Sequence, residues 1–93
     1  MVFEWDEQKE QVNIQKHKIS FVEAETVFYD PFVLTIPDPD HSTEEDRFID
    51  IGMSEKHRIL LVVYTERKEN IRIITARKAT TSERKTYEKE RKN

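Results

Sequence analysis

Hydrophobic positions along the chain predict two helices, a group of strands and a final helix. Asp6, a residue type favoured at helix N-termini, precedes a helical stretch that ends at about His17. Trp5, Val12 and Ile14 would give this first helix a modest apolar side.

A second helix follows directly. Ser20 and Glu23 form the Ser-x-x-Glu pattern of a capping box, in which side chains satisfy the free backbone N–H groups of a helix start. The Asp30-Pro31 pair ends this helix, because a proline disfavours helical backbone in the residue before it. Three apolar residues recur at helical spacing: Ala24, Val27 and Phe28.

Strand patterns begin at residue 47. Residues 47–53 alternate, residues 58–65 are apolar on both faces as in a central strand, and residues 71–77 form a third strand. Short polar connections predict an antiparallel meander, with residues 33–36 as a candidate fourth strand. Thr80 and Glu83 form another capping box, which begins a helix that runs to about Arg91. The predicted fold class is α+β: two N-terminal helices, an antiparallel sheet of three to four strands and a C-terminal helix, in one domain over residues 1–93.

Composition limits the class of protein. With 93 residues and a hydrophobic share of 35%, the chain can form one small core. It has no cysteine, which excludes disulfides and thiolate sites and fits a reducing cytoplasm. The N-terminus does not resemble a secretory signal, and no apolar segment approaches the ~18 residues that cross a bilayer. We therefore expect a soluble, cytoplasmic protein that does not associate with membranes.

Charge is divided unevenly between the two halves of the chain. Residues 1–50 contain four Lys and Arg against thirteen Asp and Glu, a balance of −9, whereas residues 51–93 contain twelve against six, a balance of +6. Such a division predicts one basic surface, which attracts phosphates, and one acidic surface. The alternative is two solvated faces without a nucleic-acid partner.

Arg77 ends the third strand. Period-2 alternation places it on one face with Ile71, Ile73 and Thr75, so its guanidinium is expected to be partly desolvated and suited to bidentate binding of a phosphate. In the alternative interpretation Arg77 pairs with Glu83 and ties the last helix to the sheet.

Arg67 ends the central strand and Arg47 begins the strand before it. Whether either converges with Arg77 depends on the strand register, and each is alternatively a solvated strand-end residue.

Two helical clusters carry further candidates. In the last helix, Arg84, Tyr87 and Arg91 lie near one face, where Tyr87 could stack on an RNA base or, alternatively, dock on the sheet. In the first helix, Lys9, Asn13, Lys16 and His17 share one side. His17 is a candidate general acid or phosphate ligand, or simply a helix-ending residue.

Metal and nucleotide motifs are not found. His17, His41 and His57 do not have the local spacing of a metal site, so neither a metal nor another cofactor is predicted. The single glycine, Gly52, excludes a glycine-rich phosphate loop. The acidic run at residues 44–46 is expected to face solvent. An alternative is that the acidic loop of residues 38–46 contacts a protein partner.

Several sequence blocks occur in a specific order. They are F-E-W-D-x-x-K-x-x-x-N-x-x-K-H-x-I-S-F-x-E-A from Phe3, V-F-x-D-P from Val27, E-x-R-F-x-x-I-G from Glu45, T-x-R from Thr65 and I-R-I-I-T-A-R-x-A-T-x-x-E-R-x-x-Y from Ile71. Together they cover nearly the whole chain and resemble the BrnT family of bacterial toxins.

The resemblance implies a RelE-like fold and a ribonuclease that is the toxin of a type II toxin-antitoxin pair. It also implies a BrnA-like ribbon-helix-helix antitoxin, which silences the nuclease and contacts operator DNA for both proteins. The motif positions in this chain are Trp5, Lys9, Asn13, His17, Arg47, Arg67, Arg77, Glu83, Arg84 and Tyr87.

The resulting hypothesis is metal-independent cleavage of RNA through the ribose 2′-hydroxyl. Arg77 with Arg47 or Arg67 would hold the scissile phosphate, while His17 or Glu83 transfers protons. Lys9, Arg84, Tyr87, Trp5 and Asn13 would bind RNA. The alternative is a catalytically inert module whose basic face binds nucleic acid or a protein.

Overall fold

The computed structural model describes residues 1–38 and 46–92. Residues 39–45 and residue 93 lie outside the described residues, and with them His41 and most of the predicted acidic loop. The elements, in chain order, are β1 (Val2–Glu4), α1 (Glu7–His17), α2 (Phe21–Thr26), a 3-10 turn (Val27–Tyr29), β2 (Leu34–Pro37), β3 (Arg47–Met53), β4 (Ile59–Arg67), β5 (Asn70–Lys78) and α3 (Thr81–Lys92).

Among the described residues, five strands form one sheet in the order β1-β5-β4-β3-β2. The α+β class, the central position of β4 and the added strand β2 are confirmed. The prediction of a wholly antiparallel sheet of three to four strands is wrong, because β1 pairs with β5 in parallel, Val2 opposite Asn70. β1 has only three residues, too few to show an alternating pattern, and Phe3 is fixed by an edge contact with Phe28 at 5.0 Å.

Helices α1, α2 and α3 begin at the predicted capping residues. The Asp6 carboxylate accepts hydrogen bonds from the N–H groups of Gln8 and Lys9, and Ser20 Oγ accepts from Glu23 N–H. At the start of α3, the Thr80 and Glu83 side chains each accept from the backbone N–H of the other residue. None of the helices within the described ranges is long and apolar enough to span a membrane.

The buried side of α1 is polar, contrary to prediction. Val12 is 61% exposed, whereas Glu10 and Asn13 are buried. Glu10 accepts a hydrogen bond from Phe21 N–H, which satisfies a free donor at the start of α2. Asn13 lies against β5 beyond the end of β1 and forms hydrogen bonds with the backbone of Ala76. Such hydrogen bonds attach α1 to the sheet, where the sequence predicts apolar packing.

The sheet separates two apolar clusters. On one face, α1 and α2 cover a core to which the sheet contributes Leu60, Val62, Ile73 and Ala76. On the other face, Tyr87 of α3 packs against Ile51 and Leu61. Because α3 is one helix on a wide sheet face, part of that second face stays open.

A β-bulge in β5 decides which side chains reach the open face. Val63 pairs with Thr75 but Tyr64 pairs with Ile73, so Ile74 is an extra residue. The bulge reverses the alternation, and Arg77 therefore does not share a face with Ile71 and Ile73 as predicted. It lies on the opposite face with Thr75.

Candidate functional site

The open sheet face forms a cavity of about 700 Å³ at the end of β5, here called the sheet-face cavity. Its floor is apolar and comes from β2, β3 and β4, through Ile36, Ile49, Ile51, Leu61 and Val63. Its polar rim comes from the end of α1, the end of β5, the start of α3 and the segment after β2: Lys16, His17, Thr75, Arg77, Ser82, Glu83, Thr86 and Asp38. Three of the five predicted catalytic residues, His17, Arg77 and Glu83, therefore line one cavity.

Arg77 and Glu83 form a bidentate ion pair within this rim. The Nη1–Oε1 and Nη2–Oε2 distances are 2.8 and 3.0 Å. Hydrogen bonds from Arg77 are the largest cause of the low pKa of Glu83. Burial raises this pKa, whereas the hydrogen bond from Thr80 N–H lowers it further. The result is a pKa of about 2, well below the usual range. The predicted alternative, in which Arg77 ties the last helix to the sheet, is thus observed. Glu83 is an anion near neutral pH and is a poor proton acceptor there.

The ion pair leaves part of the Arg77 guanidinium available. A guanidinium has five N–H donors. Within the described residues, Arg77 uses two on Glu83 and one on the carbonyl oxygen of Lys78, at 3.2 Å. The side chain is 36% exposed, so the remaining donors can meet an anion that enters the cavity.

His17 is placed at the cavity by the end of α1. Lys18 adopts a left-handed conformation, with φ of 62°, and its N–H donates to Ile14 O, which ends the helix. His17 is half-buried. In the described part of the chain no protein group forms a hydrogen bond with its imidazole, so both ring nitrogens can serve a ligand.

The sheet register separates the three predicted arginines. Arg77 is opposite Leu61, whereas Arg47 is opposite Thr65, four residues or about 13 Å farther along β4. Strand alternation still places Arg47 on the cavity face, two residues before Ile49. Arg67 lies at the exposed β4–β5 hairpin, about 20 Å along β4 from the level of Arg77. Neither Arg47 nor Arg67 therefore lies beside Arg77, as the predicted sharing of one scissile phosphate with Arg77 would require.

Three predicted RNA-binding residues have structural contacts. Asn13 uses all four hydrogen-bonding positions of its side chain on Ile19 O, Thr75 Oγ1 and the N–H and carbonyl of Ala76. Trp5 packs edge-on against Phe21, with centroids 6.0 Å apart. Tyr87 is buried and its hydroxyl donates to Asp30 at 2.5 Å. Burial, and to a smaller extent the hydrogen bond to Asp30, raises the pKa of Tyr87 to about 12. Tyr87 therefore docks on the sheet, which is the predicted alternative to stacking on an RNA base.

Two further predicted RNA-binding residues lie outside the sheet-face cavity. Lys9 is exposed on α1, in a groove that adjoins the cavity. Arg84 is exposed on the other side of α3, where it lines a separate depression with Lys78 and Arg58.

Comparison with known proteins identifies the family. A family model described as "Ribonuclease toxin, BrnT, of type II toxin-antitoxin system" matches residues 5–83. The chain belongs to the BrnT family. The crystal structure of the Brucella abortus ribonuclease toxin BrnT matches with a TM-score of 0.63 and 27% identity, over 87% of this chain and 100% of that chain. A comparison with curated proteins gave no match.

The BrnT family match covers the predicted catalytic residues that line the sheet-face cavity. The family description names a ribonuclease toxin of a type II toxin-antitoxin system, which implies that role and an antitoxin partner for this chain. The matched range includes His17, Arg77 and Glu83. Among the described residues, no group of three His, Cys, Asp or Glu side chains forms a metal site.

Some residues of the sheet-face cavity have no signature in the sequence. The sequence places Lys16 on the same side of α1 as His17, but its proximity to β5 follows only from tertiary packing. Thr75 and Thr86 have no distinguishing motif, and the bulge that turns Thr75 into the cavity leaves no signal in the sequence.

Proposed function

We propose that this BrnT-family protein is a metal-independent endoribonuclease and that its reaction takes place in the sheet-face cavity. The observation that carries the proposal is the placement of His17 and Arg77, from α1 and β5, on one cavity of about 700 Å³. A proton-transfer group and a cation facing the same space are what RNA cleavage through the 2′-hydroxyl requires.

The reaction begins when His17 accepts the proton of the ribose 2′-hydroxyl. The 2′-oxygen attacks the adjacent phosphorus, a P–O2′ bond forms and the P–O5′ bond breaks. The products are a 2′,3′-cyclic phosphate and a 5′-hydroxyl end. The 5′-oxygen takes a proton from water admitted by the open cavity, and the resulting hydroxide takes the proton held by His17, which restores the neutral imidazole. Arg77 and Lys16 stabilise the negative charge on the phosphorane.

Glu83 acts as a positioning residue for Arg77. Its low pKa keeps it ionised, and its contacts with Arg77 and Thr80 N–H hold the guanidinium at the start of α3. Arg47, farther along the same sheet face, would contact a neighbouring phosphate. We assign no role in the reaction to Arg67, Trp5, Asn13 or Tyr87.

The partner is proposed to be a BrnA-like ribbon-helix-helix antitoxin. It would form a complex with this chain in the cytoplasm, suppress cleavage, and supply the contacts to operator DNA through which the pair represses its own operon. The RelE-like character of the fold is part of the same proposal.

RNA incubated with purified protein in excess chelator tests the function. We expect cut RNA with 2′,3′-cyclic phosphate and 5′-hydroxyl ends. His17→Asn should reduce cleavage by about 10² to 10⁴, the usual contribution of general acid–base catalysis. The matched control is His57→Asn, because His57 is exposed and outside the cavity. Loss of cleavage in chelator, or equal effects of the two substitutions, would contradict the proposal.

A catalytically inert binding module is the second candidate. The specific observation in its favour is the Arg77–Glu83 pair, in which one cation of the cavity is already neutralised. This candidate predicts a strand that is bound and intact in the same assay.

A further inference from the structure

A second concave surface, here called the α1 groove, adjoins the sheet-face cavity. It has a volume of about 470 Å³ and lies between α1 and the bulged part of β5. Lys16, His17 and Thr75 line both spaces. A ligand that occupies the sheet-face cavity can therefore continue past His17 into the α1 groove.

Cations follow the α1 groove along its length. Lys9 and Lys16 both line it and are separated by seven residues, about two helical turns or roughly 10.5 Å of helix axis. Among the described residues, Asp6 is the acid that lines the groove, and its carboxylate is already engaged by the N–H groups of Gln8 and Lys9. The groove therefore favours a ligand with repeated negative charge.

An apolar wall accompanies these cations. Val12 is 61% exposed and lies one turn from both lysines, and Ile74, the extra residue of the β-bulge, faces it across the groove. Val12 therefore adds apolar surface to the groove between the two lysines. Apolar surface beside cations suits a nucleotide, whose base offers a flat face and whose phosphate is charged.

We propose that the α1 groove binds the single-stranded RNA that adjoins the scissile phosphate. Lys9 and Lys16 contact successive backbone phosphates, and Val12 and Ile74 contact a base or ribose between them. The inference rests on the proposed function, because it takes the sheet-face cavity as the place of cleavage. It adds a binding site that extends the substrate beyond one nucleotide on the α1 side.

Binding of a strand that cannot be cleaved tests the groove separately from the reaction. A fully 2′-O-methylated RNA of roughly eight nucleotides, within the size range of single-strand sites, lacks the 2′-nucleophile. Fluorescence anisotropy would compare its affinity with that of a 2′-O-methylated dinucleotide. For Lys9→Gln we expect the longer strand to bind about fivefold more weakly and the log–log salt slope to fall by about 0.7, the loss of one phosphate contact.

The control and a second substitution make the test decisive. Lys85→Gln removes the same charge from the exposed surface of α3 and should leave affinity and salt slope unchanged. Val12→Ser should weaken the longer strand by a few fold without changing the salt slope, since it removes no charge. For both groove variants, the ratio of long-strand to dinucleotide affinity should fall.

Three results would overturn the proposal: no binding of the longer strand by the unsubstituted protein, equal losses for Lys9→Gln and Lys85→Gln, or losses that do not depend on strand length. If Lys9→Gln weakens antitoxin binding and leaves RNA binding intact, the α1 groove is a protein-docking surface and the RNA assignment is wrong. Absence of cleavage would contradict the proposed function alone, because the methylated strands report binding without chemistry.

Discussion

The Glu83 carboxylate contacts Arg77 of β5 and also accepts a hydrogen bond from Thr80 N–H at 2.8 Å. One acid therefore both caps α3 and fixes the guanidinium at the end of β5. The arrangement limits the directions from which the remaining Arg77 donors can meet a phosphate, which makes the cation preorganised and partly neutralised at the same time.

RNA cleavage should depend more on Arg77 than on Glu83. Arg77→Ala removes the cation beside the phosphorane and should slow single-turnover cleavage about a hundredfold, equivalent to ~3 kcal/mol. Glu83→Gln keeps the side-chain size and leaves the cation present, so a loss below about tenfold is expected. The double variant should be no slower than Arg77→Ala, because Glu83 acts through Arg77. A larger loss for Glu83→Gln than for Arg77→Ala would contradict these roles.

Acid should remove the stabilising contribution of Glu83. Its pKa falls from an ordinary 4.5 to about 2 on folding. A lowered folded-state pKa contributes stability that is complete above about pH 4.5 and is lost as the pH falls toward 2. Glu83→Gln should therefore lower the free energy of unfolding by about 1 kcal/mol near neutral pH, a value appropriate to a partly exposed ion pair and cap.

Urea unfolding between about pH 7 and pH 3 would measure this difference. The gap between the original protein and Glu83→Gln should narrow below about pH 4.5. Glu88→Gln, an exposed change on the same helix, should show no comparable gap. A gap that stays constant down to pH 3 would mean that Glu83 stabilises α3 without the ion pair.

Local chemistry made most of the fold predictable. The caps at Asp6, Ser20 and Thr80 depend on short side chains beside helix starts, and all three were found from neighbouring residues alone. β4 was identified as central because it is apolar on both faces. β1 could not be found in this way, because its parallel pairing with β5 joins the two ends of the chain.

The site was less predictable because it depends on register and packing. The bulge at Ile74 moves Arg77 to the face opposite to Ile71, and nothing in the sequence I-R-I-I-T-A-R marks the extra residue. The same lack of tertiary information made Asn13 and Tyr87 look like ligand-binding polar residues, whereas both satisfy buried partners within the protein. The sequence predicts that α1 ends at about His17, and only the fold shows that this helix end meets the sheet-face cavity.

Asn13 should be among the residues on which stability depends most. Its side-chain amide makes the hydrogen bonds to Ala76 of β5 that a neighbouring strand would otherwise make. Asn13→Ala would leave the buried N–H and carbonyl of Ala76 without these hydrogen bonds. We expect the free energy of unfolding to fall by about 2–4 kcal/mol. Asn13→Asp keeps the shape but loses both donors, so it should also be destabilising.

Urea unfolding near neutral pH would measure the effect, with Gln11→Ala as control on the exposed side of the same helix. The control should stay within about 0.5 kcal/mol of the original protein. If Asn13→Ala behaved like Gln11→Ala, the hydrogen bonds to Ala76 would not contribute to stability, and a direct role for Asn13 in RNA binding would regain support.

Position 52 requires glycine because neighbouring side chains leave no room for a Cβ atom. Its backbone does not require glycine, since its φ is not positive. A Cβ atom there would lie 2.9 Å from Val27 Cγ1, 3.1 Å from Val33 Cγ2 and 3.2 Å from Asp30 Oδ2. Asp30 holds both Met53 N–H and the Tyr87 hydroxyl, so it has little freedom to move away. Gly52→Ala should therefore lower the free energy of unfolding by about 1–3 kcal/mol, the usual effect of overpacking.

A double-mutant cycle with Val27→Ala would identify the clash. Val27→Ala alone leaves a cavity and is destabilising, but it also removes the Cγ1 atom that a new Cβ would meet. In that background Gly52→Ala should be less destabilising than in the original protein, with a coupling of about 0.5–1 kcal/mol measured by urea unfolding. Strict additivity would show that Val27 yields without cost, and the destabilisation would then come from the contacts with Val33 and Asp30.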